Sequence, residues 1–201
     1  MLSIYIARHG QDEDNAEGLL NGRRDRPLTQ KGQEQAEELA RKIKADQLSF
    51  DSIYTSPLQR ARMTAEAIAK INAMPAIETY DQLVERDVGI FSGISSVTAA
   101  EQCSPDILET PTGPYILRPE GGETFDTLLE RGHQILHTIK NKHQDGNILL
   151  VCHGGIGKMI YAAYHNLPWQ DVLKQFHFGN SELVLLAPNR SPQESQVFTS
   201  N

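Results

Sequence analysis

Three short apolar runs in this chain each end in a cation, an imidazole or both. Ile4-Tyr5-Ile6-Ala7 stops at Arg8-His9-Gly10, Asp51-Ser52-Ile53-Tyr54-Thr55 runs into Ser56-Pro57-Leu58-Gln59-Arg60, and Ile148-Leu149-Leu150-Val151 runs into Cys152-His153-Gly154-Gly155. Short apolar, β-rich runs bounded by turn-forming residues predict buried strands. Between them the period changes. Ala36, Leu39, Ala40 and Ile43 fall at i, i+3, i+4 and i+7, which predicts a crossover helix from Thr29. Ser56 as N-cap and Pro57 at the first helical position predict a second helix, with Leu58, Ala61, Ala65 and Ile68 on one face and Met74-Pro75 beyond its end.

The polar stretch Gln11 to Arg26 has neither period and reads as a loop over the strand ends. Ile77 to Leu83 predicts a further short strand leading to Val84-Glu85-Arg86-Asp87-Val88-Gly89. From Ile94 to Arg118 there is a short helix around Val97 to Gln102, then a proline-rich segment of few periodic apolar positions. A long irregular stretch of this kind is usually functional, and residues 94–120 are expected to form a lid or substrate-selecting segment. A helix follows with Phe125, Leu128, Leu129, Ile135, Leu136 and Ile139, then the third strand, a helix from about Gly155 to Tyr164, a short helix opened by Pro168, and a last strand Glu182 to Leu186. No element is read in the tail, Pro188 to Asn201. Strands alternating with helices, the strands apolar almost throughout, predict an α/β fold: a three-layer α/β/α sandwich with a mostly parallel central sheet, in a single domain over 1–201.

Composition narrows the function. With 201 residues, a formal net charge of −7 and a pI near 5.5, the chain lacks the cationic excess of a general nucleic-acid binder, so anion binding has to be local. Two cysteines, Cys103 and Cys152, at no paired spacing give no disulfide framework, and a reducing compartment is the default. No run approaches the roughly 18 apolar residues of a membrane span. A cytoplasmic protein without nucleic-acid or membrane partners is expected.

In an open α/β sheet ligands bind outside the carboxyl ends of the strands, so the three polar run-ends converge on one place. Arg8 and Arg60 supply planar forks for a phosphate, and helix N-termini add oriented amides. A neutral imidazole among such donors can attack phosphorus in line with no metal required. The leaving oxygen needs a proton, and Glu85 or Asp87 are the candidate acids. Taken singly, these residues have plainer readings: Arg-His-Gly is common by chance, Arg62 is a solvated helix position, His153 suits a core histidine, and Glu85 suits a turn cap. It is their joint occurrence at successive strand ends that favours a site.

Arg8-His9-Gly10, Ser56-Pro57-Leu58-Gln59-Arg60-Ala61 with Thr64-Ala65, Leu83-Val84-Glu85 with Gly89 and Gly93, and Cys152-His153-Gly154-Gly155 together resemble the histidine phosphatase superfamily, the phosphoglycerate-mutase-like enzymes. Pro27 to Ala36, Gly121-Gly122-Glu123-Thr124 and Asn180-Ser181 are also similar to its signatures, so the resemblance runs from residue 2 to about 187. It implies that His9 is the nucleophile that becomes phosphorylated, that Arg8, Arg60 and His153 form the phosphate pocket, and that Glu85 is the proton donor. Asn15 matches the family's loop asparagine and Gly154 gives close backbone approach; Asn21 and Gly22 are counted with them as substrate-binding residues, and Tyr115 and Arg118 as rim contacts. No cofactor and no metal are implied, and the partner is a small phosphorylated metabolite. One position departs. Asp12 stands where the family usually has Ser or Thr, and a carboxylate there is expected to turn away or to meet Arg23, Arg24 or Arg26. Within the family, the short gap between Arg86 and Gly122 resembles the phosphatase branch more than the mutases, which carry a long insertion there.

Three rival readings remain. Cys152 to Lys158 is loosely like a cysteine-phosphatase loop, but Lys158 stands where that loop needs Arg. His133 and His137, four apart on a helix, have the spacing to share a metal, yet no carboxylate at ligand spacing supports them. A non-catalytic module that binds phosphorylated ligands is the rival of another class.

Overall fold

A computed structural model describes residues 1–72 and 76–199. In chain order the elements are β1 (Leu2–Arg8), α1 (Glu13–Glu17), α2 (Gln30–Ala45), β2 (Ser52–Thr55), α3 (Gln59–Asn72), β3 (Ile77–Thr79), α4 (Ser96–Cys103), β4 (Ile107–Leu108), β5 (Tyr115–Ile116), α5 (Phe125–Lys142), β6 (Gly146–Cys152), α6 (Gly154–His165), α7 (Trp169–Gln175), β7 (Leu183–Leu186) and β8 (Gln196–Phe198). Six strands form the central sheet in the order β3-β2-β6-β1-β7-β8. The pairs β3/β2, β2/β6 and β6/β1 are parallel, whereas β7 and β8 join antiparallel. The fold is α/β, as the alternation of periods predicts.

Side-chain alternation assigns each sheet face to its helices. Ile4, Ile6, Ile148, Leu150 and Cys152 pack in one core with α5, α6 and α7, while Tyr5, Ala7, Ile53, Leu149 and Val151 pack in another with α2 and α3. Both faces are covered, which is why β1 and β6 read as continuous apolar runs rather than alternating ones. Since β6 lies between β2 and β1, the carboxyl ends of the three strands that end in Arg and His are neighbours.

The predicted elements differ from the observed ones at several places. Residues 56–58 are a turn and α3 starts at Gln59, so Pro57 precedes the helix and Ser56 does not cap it. Met74-Pro75 lie outside the described residues. The loop Gln11 to Arg26 contains α1, capped by Asp12, whose side chain accepts from the Asn15 amide at 2.7 Å. The strand expected over Ile77 to Leu83 ends at Thr79 and turns into a 3-10 helix over Asp81–Leu83. The irregular 94–120 segment carries a small hairpin, β4 with β5, and β8 in the tail extends the sheet.

The loop leaving β1 is pressed against the first turn of α2. A Cβ on Gly10 would lie 2.2 Å from the Gly32 carbonyl oxygen, and one on Gly32 1.9 Å from that of Gln11. Only two glycines allow this approach, and it sets where the chain after His9 can go.

Candidate active site

His9 follows β1 and is almost fully buried. Its Nδ1 lies 2.6 Å from the Gly10 carbonyl oxygen. A carbonyl only accepts, so Nδ1 carries the proton and the neutral ring keeps its lone pair on Nε2. That Nε2 lies 3.2 Å from Nε of Arg60, and the same Nε lies 3.1 Å from Nδ1 of His153. The two imidazole rings meet edge to face at 5.0 Å between centroids. Burial first, then the charges of Arg60 and Arg8, hold His9 well below the ordinary histidine range; burial, Arg60 and the neighbouring His9 do the same to His153. Both rings are therefore neutral near pH 7.

Arg60 sits in the first turn of α3, fully buried, with Nη1 donating to the Arg24 carbonyl at 2.6 Å and Nη2 to that of Gly22 at 3.0 Å. Gly22 adopts φ of +55°, and a Cβ there would meet Val88 Cγ2 at 2.7 Å. Thr64, one turn along α3, accepts the Gly10 amide at 3.2 Å and donates to the Arg60 carbonyl at 2.8 Å, joining the His9 loop to the helix that carries Arg60. Arg8 donates through Nη1 to the Phe178 carbonyl at 2.7 Å, while its buried Nε donates to no group among the described residues.

Glu85 reaches the N-terminus of α6. Its Oε2 accepts from the Gly155 amide at 2.8 Å, and Oε1 accepts from Arg86 at 2.7 Å and Ile156 at 3.0 Å. A Cβ on Gly155 would lie 2.7 Å from Oε1, so the residue after Gly154 has to be glycine for Glu85 to sit here. Arg131 holds the loop from behind: Nη1 donates at 2.6 Å to the carbonyls of both Gln82 and Val84, while Nε and Nη2 grip Glu123 at 3.1 and 2.7 Å. Burial alone would raise the Glu123 carboxyl, but the Arg131 and Asp87 hydrogen bonds and the Arg131 and Arg23 charges outweigh it and hold it below its ordinary value. Burial brings Arg86 down to about 10; its guanidinium donates to the carbonyls of Glu123 and Leu117 and lies 3.8 Å above the Phe125 ring.

Arg8, His9, Arg60, Glu85, Asn15, Asn21, Gly22, Gly154 and Tyr115 line one cavity of about 270 Å³. Its remaining wall is largely apolar, with Leu19, Leu20, Val88, Pro114, Ile116 and Phe125. His153 stands behind it, its Nε2 2.7 Å from Ser56 Oγ. All three strand-end motifs and Glu85 thus meet at a single cavity, the third through Gly154 and Gly155 with His153 behind them. The family model described as histidine phosphatase superfamily (branch 1) matches residues 4 to 200.

The chain belongs to the histidine phosphatase superfamily.

Within this superfamily it is similar to 2,3-bisphosphoglycerate-dependent phosphoglycerate mutases of Brucella melitensis and Brucella ovis, each 33% identical over 177 residues, 86% of this chain and 86% of the relative. Among solved structures, a mutant phosphoserine phosphatase of Entamoeba histolytica in complex with phosphoserine matches at TM-score 0.78 and 25% identity, covering 100% of this chain and 96% of that one. A mycobacterial glucosyl-3-phosphoglycerate phosphatase has the same fold at TM-score 0.79 and 22% identity, covering 93% of each chain.

At several positions the histidine phosphatase site differs from what the sequence leads one to expect. Asp12 does not pair with Arg23, Arg24 or Arg26. It is wholly buried with Oδ2 3.1 Å from Arg60 Nε and accepting from Asn21 Nδ2, while Arg24 and Arg26 pair with Asp14. Arg118 does not line the cavity; exposed, it makes two bonds to Asp106, at 3.0 and 2.9 Å. Of the two candidate acids only Glu85 lines the cavity, because Asp87 accepts the Gly89 amide and faces Arg23. Cys152 is buried in the core under α6 and burial pushes its thiol up, away from the thiolate a cysteine nucleophile needs, while Lys158 reaches the Tyr115 hydroxyl at 3.2 Å. His133 and His137 are exposed on α5. Arg86 and Arg131 carry no spacing signal, and Ser56, expected as an N-cap, partners His153 instead. Asn180 donates at 3.0 Å to both the His9 carbonyl and Asn15 Oδ1, and Asn180-Ser181 was the one signal for it.

Proposed function

We propose that the chain is a metal-independent phosphomonoesterase acting through a phosphohistidine on His9. The observation that carries this is the His9 ring itself: proton held on Nδ1 by the Gly10 carbonyl, Nε2 unprotonated beside Arg60 in the cavity that Arg8 and Glu85 also line. A phosphate monoester enters with its phosphoryl oxygens on Arg8 and Arg60, which balance the charge that builds on them, while His153 behind the cavity holds the Arg60 edge. His9 Nε2 attacks, the P–N bond forms as the P–O bond to the leaving group breaks, and Glu85 gives the leaving oxygen its proton. Glu85 Oε2 takes one amide where Oε1 takes two, so Oε2 has the freer lone pair for that proton. As a carboxylate, Glu85 then takes a proton from water, whose oxygen attacks phosphorus and releases His9 and inorganic phosphate.

Hydrolysis is favoured over mutase chemistry by the rest of the cavity. A mutase has to hold a second anionic group of its substrate, whereas here the wall beyond the phosphate end combines apolar Leu19, Leu20, Val88, Ile116 and Phe125 with the uncharged Ser96, Thr112 and Tyr115, and Arg86 is committed to two carbonyls and a ring. The hairpin residues Thr112 to Ile116 form a rim that would select the organic part of a small phosphorylated metabolite. The second reading, a bisphosphate-dependent mutase, is favoured by the names of the Brucella relatives. Turnover of para-nitrophenyl phosphate and of 3-phosphoglycerate, with and without its 2,3-bisphosphate, in EDTA, on wild type and His9→Ala separates the two. Phosphate release that needs His9 supports the phosphatase; bisphosphate-dependent isomerisation with little release supports the mutase; activity untouched by His9→Ala defeats both.

A further inference from the structure

Asp12 is a buried carboxyl group that this reaction leaves unused, and it stands on the cation the phosphate needs. The single N–H on Arg60 Nε is directed to His153 Nδ1 at 3.1 Å and His9 Nε2 at 3.2 Å, and Asp12 Oδ2 is ion-paired with the same nitrogen at 3.1 Å. Both Nη atoms already donate to the Gly22 and Arg24 carbonyls. The edge of Arg60 that would meet a phosphoryl group beside His9 Nε2 is therefore the edge on which Asp12 sits as counter-ion.

The surroundings of Asp12 contain a place for a proton. From α1 the Asn15 amide donates to Oδ1 at 2.7 Å and the Asp14 carboxylate repels; from β1 Arg8 attracts at longer range; from α3 comes Arg60. Burial raises the carboxyl from its ordinary value, and the Asn15, Arg60 and Arg8 effects only partly offset it. From the loop after α1, Asn21 donates Nδ2 to Asp12 Oδ2, while its own Oδ1 is buried and has no hydrogen-bond partner among the described residues. Turning that amide over would bring an acceptor to Oδ2, as a protonated Asp12 requires.

We propose that Asp12 is a positioning residue that competes with the phosphoryl dianion for Arg60, so that anion binding is coupled to uptake of one proton by Asp12. The inference rests on the phosphate pocket proposed above. The proton comes from solvent, one O–H bond forms on Oδ2, and Asn21 Oδ1 accepts it. Arg60 is then released to the incoming anion without a second negative charge beside it. A serine or threonine at this position would have no such linkage.

The test uses sulfate, which stays a dianion from about pH 5 to 8 and so adds no titration of its own. Calorimetry in two buffers of different protonation enthalpy measures affinity and proton uptake for wild type, Asp12→Asn and Asp12→Ser. Asn and Ser both cap helices well, so α1 keeps its cap while the charge goes. Wild type is expected to lose affinity with rising pH, by up to about tenfold per unit over the range in which Asp12 titrates, with proton uptake on binding. Both variants are expected to bind sulfate more tightly than wild type at pH 7.5, with a smaller pH slope and less uptake. The same slope and uptake in all three proteins, or a wild type indifferent to pH, overturns the proposal and leaves the phosphate pocket standing. No sulfate binding by any of the three folded proteins overturns the pocket, and the proposal with it.

Discussion

The hydroxyl of Ser56 lies 2.7 Å from Nε2 of His153, while Nδ1 of the same ring takes the Arg60 edge at 3.1 Å. Ser56 directly follows β2 and His153 directly follows β6, so the ends of two adjacent parallel strands fix one imidazole between them. With Nδ1 facing a guanidinium, Nε2 carries the proton and donates to Ser56. Ser56→Ala removes that partner and frees the ring to turn. The expected outcome is a loss of about tenfold in kcat/KM with about 1 kcal/mol of stability. Steady-state kinetics on an aryl phosphate beside a urea melt checks both; unchanged kinetics would show that Ser56 is merely a neighbour.

Arg131 acts on Glu85 from outside the cavity. Its bonds to the Gln82 and Val84 carbonyls and to Glu123 set the loop that delivers Glu85. Arg131→Lys keeps the charge and loses the fork, which should cost about 3 kcal/mol of stability for a pair this buried. Among molecules that remain folded, hydrolysis of alkyl phosphates should fall more than hydrolysis of para-nitrophenyl phosphate, because only a poor leaving group needs the displaced acid. Equal losses on both esters would separate Arg131 from proton transfer.

Gly155→Ala tests the same carboxylate from the other side. The new Cβ would stand 2.7 Å from Glu85 Oε1, and the contact pushes the carboxylate off the α6 N-terminus. Rates on alkyl phosphates should drop by about 100-fold, in the range of a lost general acid, with a smaller loss on aryl esters. Glu85→Gln should give the same pattern. A Gly155→Ala enzyme with wild-type rates on alkyl phosphates would mean that Glu85 does not need its place at the helix.

The strand ends were legible because apolar runs of four or more residues cut off by Arg, His or Ser-Pro leave a strong local pattern. Thus β1, β2 and β6 and their terminal residues, and the helical faces of α2 and α5, lie where the periods place them. The five-residue α1, the two-residue strands β4 and β5 and the edge strand β8 are too short to show any period. Ser56-Pro57 misleads because an N-cap pattern is also a plausible strand exit; the serine here serves His153 instead. Partners far apart along the chain, such as Asp12 with Arg60 or Arg131 with Glu123 and the Val84 carbonyl, follow from strand order and helix packing. No local spacing specifies them, and Arg118, expected as a rim contact, is paired with Asp106 outside the cavity.

Stability should depend on pH through His9 and His153. Both folded values lie well below the ordinary histidine value, so the unfolded chain binds more protons as pH falls below about 6.5, and unfolding is favoured there. Each ring contributes a slope of up to about 1.4 kcal/mol per pH unit between its unfolded and folded values. Above about 7 the contribution is complete, and it is lost as pH falls from there. Denaturant midpoints at pH 7.5 and 5.5, in a buffer free of phosphate and sulfate, should drop on acidification; a flat profile would mean that the imidazoles are not held neutral.

The most direct measurement is acid- and base-stability mapping of the label left on the protein after rapid quenching with a radiolabelled phosphate ester. A covalent phosphoryl group on the peptide that carries His9, stable in base and labile in acid, absent from His9→Ala and accumulating in Glu85→Gln, is the expected result. Hydrolysis at a wild-type rate with no label on that peptide would contradict the phosphohistidine route.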